Sequence, residues 1–136
     1  MKRIEANVEA LYNAREPTGS EIVDEVIDML RKSKAIRVAD MALLMNVDAD
    51  DLQAAWRMLT GGSLRHFITR WRVHQALELI GKRIIEPWDD IVTRSEVTAR
   101  LGEIAQRCGW QSERVMSHVF ERYLGCSAPE YVAQRV

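Results

Sequence analysis

Two halves of this sequence repeat one another at an offset of 64 residues. Trp56, Gly61-Gly62-Ser63 and Phe67 align with Phe120, Gly125-Cys126-Ser127 and Tyr131, and Leu52 aligns with Met116. Ala42 and Ala105 join the match if the second turn is one residue longer. Each half then reads as a helix, a short turn, a second helix, a glycine stop and a Ser-capped helix ending in an aromatic residue. That order has the logic of a helix-turn-helix. A small alanine lets two helices cross closely, and an inward aromatic anchors the second helix. The outward residues of that helix's first turns are then free to enter a major groove.

The periodicity around the repeat is helical, with no alternating strand pattern of useful length. Ile4, Val8 and Leu11 recur at helix spacing and predict a short amphipathic helix over residues 2–15. Pro17-Thr18-Gly19-Ser20 breaks it, and Ser20 is placed to cap a helix burying Ile22, Val23, Val26, Ile27 and Leu30. A third helix is expected over Val38 to Met45, then a turn, Asn46-Val47-Asp48, with Asp48 as the next cap. The fourth runs to about Leu59, burying Leu52, Ala55, Trp56 and Leu59. A long helix follows from Ser63 to about Ile80, with Phe67, Trp71, Ala76, Leu77 and Ile80 inward. Residues 81–95 are less regular, with Pro87 suited to the first turn of a short helix holding Trp88 and Ile91. From Ser95 the pattern resumes, turns at Gly109-Trp110-Gln111, and restarts at a Ser112 cap.

The chain has 136 residues, 47% hydrophobic and 29% charged, with a formal net charge of −1. This is the balance of a globular domain and excludes a disordered tail or a large multidomain enzyme. No apolar run approaches the roughly 18 residues of a membrane span, and the first residues lack the apolar stretch of a secretory signal. A reduced, cytoplasmic protein without a membrane partner is expected, with Cys108 and Cys126 as buried free thiols. The charge is unevenly spread: residues 1–51 carry a net −4, residues 52–85 a net +5 and residues 86–136 a net −2. A cationic middle segment inside an acidic chain suits a phosphate-facing surface. His66 and His74 lack the companion ligands of a metal site. With no catalytic constellation and no cofactor fingerprint, neither an enzyme nor a bound cofactor or metal is expected.

The stretch from Gly102-Glu103-Ile104-Ala105 through Gly109-Trp110-Gln111-Ser112 to Phe120, and on to Gly125-Cys126-Ser127-Ala128-Pro129-Glu130-Tyr131, resembles the signature of the AraC/XylS family of bacterial transcription regulators. Met41-Ala42, Leu52, Trp56, Gly61, Ser63 and Phe67 resemble its partner motif, and Arg72, Ala76 and Leu79-Ile80 the helix joining the two. The resemblance spans roughly residues 20–136. It implies an all-α protein with two helix-turn-helix subdomains joined by a long linker helix, an AraC-like DNA-binding domain. The organisation expected is an N-terminal extension with a short helix at 1–19, a first subdomain with linker helix at 20–80, an insertion at 81–95 and a second subdomain at 96–136. Residues 1–19 are too short for a sensor domain, so the likeness is to the small stand-alone members.

The function implied is sequence-specific binding of duplex DNA by a transcription regulator, an activator in the simplest reading, with RNA polymerase as a candidate partner. The second recognition helix is expected to lead, with Glu113, Arg114, Ser117 and His118 outward and Val115, Met116, Val119 and Phe120 inward. Arg114 suits guanine O6 and N7. In the first motif the outward residues are Asp50, Asp51, Gln53, Ala54 and Arg57, a poor set beside phosphates, although the two aspartates suit a helix N-terminus. Arg65 and Arg70 on the linker helix are candidate phosphate contacts, and Arg72 suits a bracing role. Besides the missing sensor domain, two features depart from the family: the aspartates, and an 81–95 segment far longer than the usual connection, with Trp88 expected to be partly exposed. They favour the alternative, an AraC-like protein-interaction module that modulates polymerase or another regulator without reading DNA.

Overall fold

The computed structural model describes residues 3–33, 35–91 and 93–136; Met1, Lys2, Lys34 and Val92 lie outside it. Every regular element among the described residues is helical. The chain forms two compact units, Met1–Trp71 and Arg72–Val136.

In the first unit, α1 (Val8–Leu11), α2 (Glu21–Lys32), α3 (Val38–Leu44) and α4 (Ala49–Thr60) precede α5 (Leu64–Ile80), whose first half completes it. Ser20 and Asp48 cap as expected, their side chains accepting from the N–H of Val23 and of Asp50. Val23, Val26, Ile27 and Leu30 of α2 pack with Met41, Ala42, Leu52, Trp56, Phe67 and Trp71 in one core. Ala55 and Leu59, expected inside, are only half-buried.

The helix expected over residues 2–15 is reduced to the single turn of α1. Asn7 breaks the run by accepting from the N–H of Glu9, and the Ile4 N–H is engaged by the carbonyl of Leu59 at 2.8 Å. The apolar periodicity still points inward, since Val8 is buried and Ile4 and Leu11 pack on the core. An extended strap followed by one turn achieves what a longer helix was expected to do. Arg31 ties it down, donating to the carbonyls of Leu11 (3.1 Å) and Ala14 (2.8 Å).

The second unit holds the end of α5 with α6 (Arg94–Arg107), α7 (Glu113–Leu124) and α8 (Ala128–Ala133). The segment after Ile80 is more regular than the sequence suggests. Gly81–Ile85 continues the chain as a π-helical turn, with the Glu86 N–H donating to the carbonyl of Gly81 at 2.9 Å, and Ile84 is fully buried. Arg100 of α6 donates to the carbonyl of Arg83 at 2.7 Å, satisfying a group the turn leaves open. Pro87 precedes a 3₁₀ turn, Trp88–Asp90, that stops short of Ile91. Ile80, Ile84, Leu101, Ile104, Ala105, Met116 and Phe120 form the core of this unit, and Leu77 and Trp88 are half-buried against it.

Candidate nucleic-acid interface

The two helix-turn-helix motifs, α3–α4 and α6–α7, have the same backbone construction. After α3 the N–H of Asn46 donates to Leu43 at 3.2 Å and that of Val47 to Ala42 at 3.0 Å. After α6 the N–H of Gly109 donates to Gln106 at 3.1 Å and that of Trp110 to Ala105 at 2.9 Å. These are the paired bonds of a helix ended by a left-handed residue. That residue is Gly109 (φ 92°) in the second motif and Asn46 (φ 56°) in the first, asparagine being among the few side chains that accept the conformation. Helices α4 and α7 then start and stop 64 residues apart at each end, each closed by a left-handed glycine, Gly61 or Gly125. The offset in the sequence is therefore an offset in structure.

Ser112 caps α7, its Oγ accepting from the N–H of Val115 at 3.3 Å. The buried side of α7 is Met116, Ser117 and Phe120. The exposed side carries Arg114 and His118, as expected, and also Arg122, one turn further on. These three recur every four residues and form one basic stripe. Arg122 is not among the residues predicted from the sequence, although its four-residue spacing from His118 places it on the same face.

Two expectations for α7 are corrected. Ser117 does not face outward: it is 7% exposed, its Oγ donating to the Glu113 carboxylate and accepting from the N–H of Ala128 at 3.1 Å. It joins α7 to α8, and the N–H it satisfies belongs to the first residue of α8. Glu113 is thereby drawn to its own helix and is half-buried. Val115, expected inside, is 41% exposed beside the stripe.

In α4 the residues equivalent to the stripe are Asp50, Ala54 and Met58, all exposed. The last residues of α6, Gln106 and Arg107, correspond to Leu43 and Leu44 of α3, and all four are exposed. One backbone therefore carries two different surfaces. The second motif presents Gln106, Arg107, Arg114, His118 and Arg122. The first presents Leu43 (80% exposed), Leu44 (69%), Met58 (72%) and two aspartates. Asp48, Asp50 and Asp51 lie at the amino end of α4, which suits the helix dipole and would repel phosphate.

The other predicted contacts divide. Arg57 and Arg65 are exposed and Gln53 is half-buried. Arg70 is exposed but lies 3.7 Å from the carboxylate of Glu9. Cys108 and Cys126 are both buried. Among the described residues no cluster of three or more His, Cys, Asp or Glu is placed to hold a metal ion, and no helix is long and apolar enough to cross a membrane.

No protein-family model matches the sequence, and no curated protein matches it either. Solved structures do resemble it. The C-terminal domain of AraT, a response regulator from Geobacillus stearothermophilus, superposes with a TM-score of 0.66 at 22% identity, covering 86% of this chain and 88% of that one. The DNA-binding domain of AdpA, a global transcriptional factor solved in complex with a target DNA, gives 0.65 at 22% identity over 85% and 93% of the two chains. A DNA-binding transcriptional dual regulator from Escherichia coli K-12 gives 0.62 at 22% identity over 90% and 96%. The likeness is one of fold and extends over most of each chain.

Proposed function

We propose that this chain, folded like those regulator domains, is a sequence-specific duplex-DNA-binding transcription regulator of the AraC type whose α7 lies in a major groove. The observation that carries the reading is the stripe of Arg114, His118 and Arg122, exposed on one face of a helix whose other face is locked into its core. Arg114 sits in the first turn, where a recognition helix reads bases, and its fork suits guanine O6 and N7. His118 bonds a base edge or a phosphate, and Arg122 and Arg107 take phosphates. Arg65 is a further phosphate contact, whereas Glu9 competes for Arg70. The fold of a domain solved on its target DNA supports the same reading. A regulator of this kind works in the bacterial cytoplasm, and activation is its simplest mode.

The test is selection of binding sites from a random duplex pool at two salt concentrations. An enriched motif, bound less tightly at higher salt and with its preference relaxed at one base pair by Arg114→Ala, is the expected result. Retention of no sequence, even at low salt, would overturn it.

A second reading applies to the first motif. Its exposed Leu43, Leu44 and Met58, with Asp50 and Asp51 beside them, favour a protein partner over DNA, RNA polymerase being the candidate. Gln53 and Arg57 are then the only polar groups of α4 left to touch a duplex. Leu44→Glu with Met58→Glu should leave duplex affinity unchanged and lower transcriptional output. Loss of duplex binding in that variant would return this face to DNA.

A further inference from the structure

Trp88, Ile91, Thr93 and Arg94 help to line a groove inside the second unit. Trp88 and Ile91 line it with Val97 and Leu101 of α6 and Val132 of α8, around a volume of about 740 Å³. That volume is within the range of small-molecule sites, and most of its lining is apolar.

The polar groups on the rim narrow the choice of ligand. Thr93 Oγ1 is engaged with the N–H of Glu96, and Thr98 Oγ1 donates to the carbonyl of Arg94. Glu130 Oε1 accepts from the N–H of Ser127 in the capping box of α8. Arg94 is exposed, and its guanidinium has no partner among the described residues. A mostly apolar groove with an uncommitted cation at its edge complements an apolar body ending in an anion.

We propose that this groove is a binding site for an amphipathic monoanion, a carboxylate or sulfonate head on Arg94 with a hydrocarbon or aromatic body along Trp88, Ile91 and Val97. The site stands whether or not the chain reads DNA.

The experiment uses the full chain and the dye 1-anilinonaphthalene-8-sulfonate, with decanoate and decanol as competitors. Saturable dye fluorescence, displaced by decanoate, is expected. Arg94→Gln should weaken decanoate about tenfold or more, the low end of one lost charge-assisted hydrogen bond, and leave decanol unchanged. Ala133→Phe, an exposed position lining the groove, should abolish dye binding while near-ultraviolet circular dichroism stays native. Binding that survives Ala133→Phe, binding lost in Leu44→Glu instead, decanoate affinity indifferent to Arg94→Gln, or no saturable binding would each overturn the proposal.

Discussion

Ser117 and Arg114 are three residues apart on α7 and have opposite duties. The Ser117 hydroxyl bonds two groups at once, the Glu113 carboxylate and the N–H of Ala128, in a buried setting. Removing it leaves a buried donor unsatisfied, which costs about 1–3 kcal/mol. Ser117→Ala should therefore lower the unfolding free energy by that amount, read by urea denaturation, while leaving the bound DNA sequence unchanged. Arg114→Ala should do the reverse. Stability stays within about 0.5 kcal/mol, as for other surface changes, and discrimination at one base pair falls by about 1–3 kcal/mol. A Ser117 variant that changed base preference while folding normally would put that hydroxyl back among the reading groups.

Elements in this protein are set by their ends. Asp48 and Ser112 launch equivalent helices, and Gly61 and Gly125 close them. Asp48→Ala and Ser112→Ala should each cost about 1 kcal/mol. The two should be additive, because each cap acts within its own first turn. Calorimetry on the single and double variants checks this. The π-helical turn is different, since it is held by packing. Ile84 has no exposed surface, and Ile84→Ala should cost about 2–5 kcal/mol. A cost under 1 kcal/mol would mean that the segment after α5 contributes little to the second core.

Over the whole molecule, the two motifs share a backbone plan and differ in charge, so they make different predictions about salt. Binding led by α7 alone, with about three to four phosphates neutralised, gives a slope of log K against log salt of about −2.7 to −3.6. Equal engagement of both motifs would give a slope about twice as steep. The amino-terminal strap belongs to this scale too. Val8 lies in the first core, Tyr12 packs its ring at a tilt against Trp71 with ring centroids 4.8 Å apart, and Arg31 holds the carbonyls of Leu11 and Ala14. Deleting residues 3–14 should lower the melting temperature of the first unit and expose Trp71, seen as a red shift in fluorescence. An unchanged melting profile would show the strap to be dispensable.

The repeat, the caps, the glycine stops and the position of every long helix were legible in the amino-acid order, because each depends on side chains acting within a turn of the backbone they control. Ala42 and Ala105 even signalled the one-residue difference between the turns. Two things required the tertiary structure. One was the rotation of α7, since Ser117 and Val115 sit near the boundary between buried and exposed. Only the arrival of Ala128, eleven residues later, decides that Ser117 turns inward. The other was the form of segments whose apolar residues do not span a full helix. Ile4 and Val8 fit a helical period, but the carbonyl of Leu59 takes the Ile4 N–H and holds the strap out of a helix. Ile84 likewise is buried in the second core, whose packing favours the π-helical turn of residues 81–85. Local hydrogen bonds determine where a helix begins and ends. Which way it faces, and what an unhelical segment does, depends on partners distant in the chain.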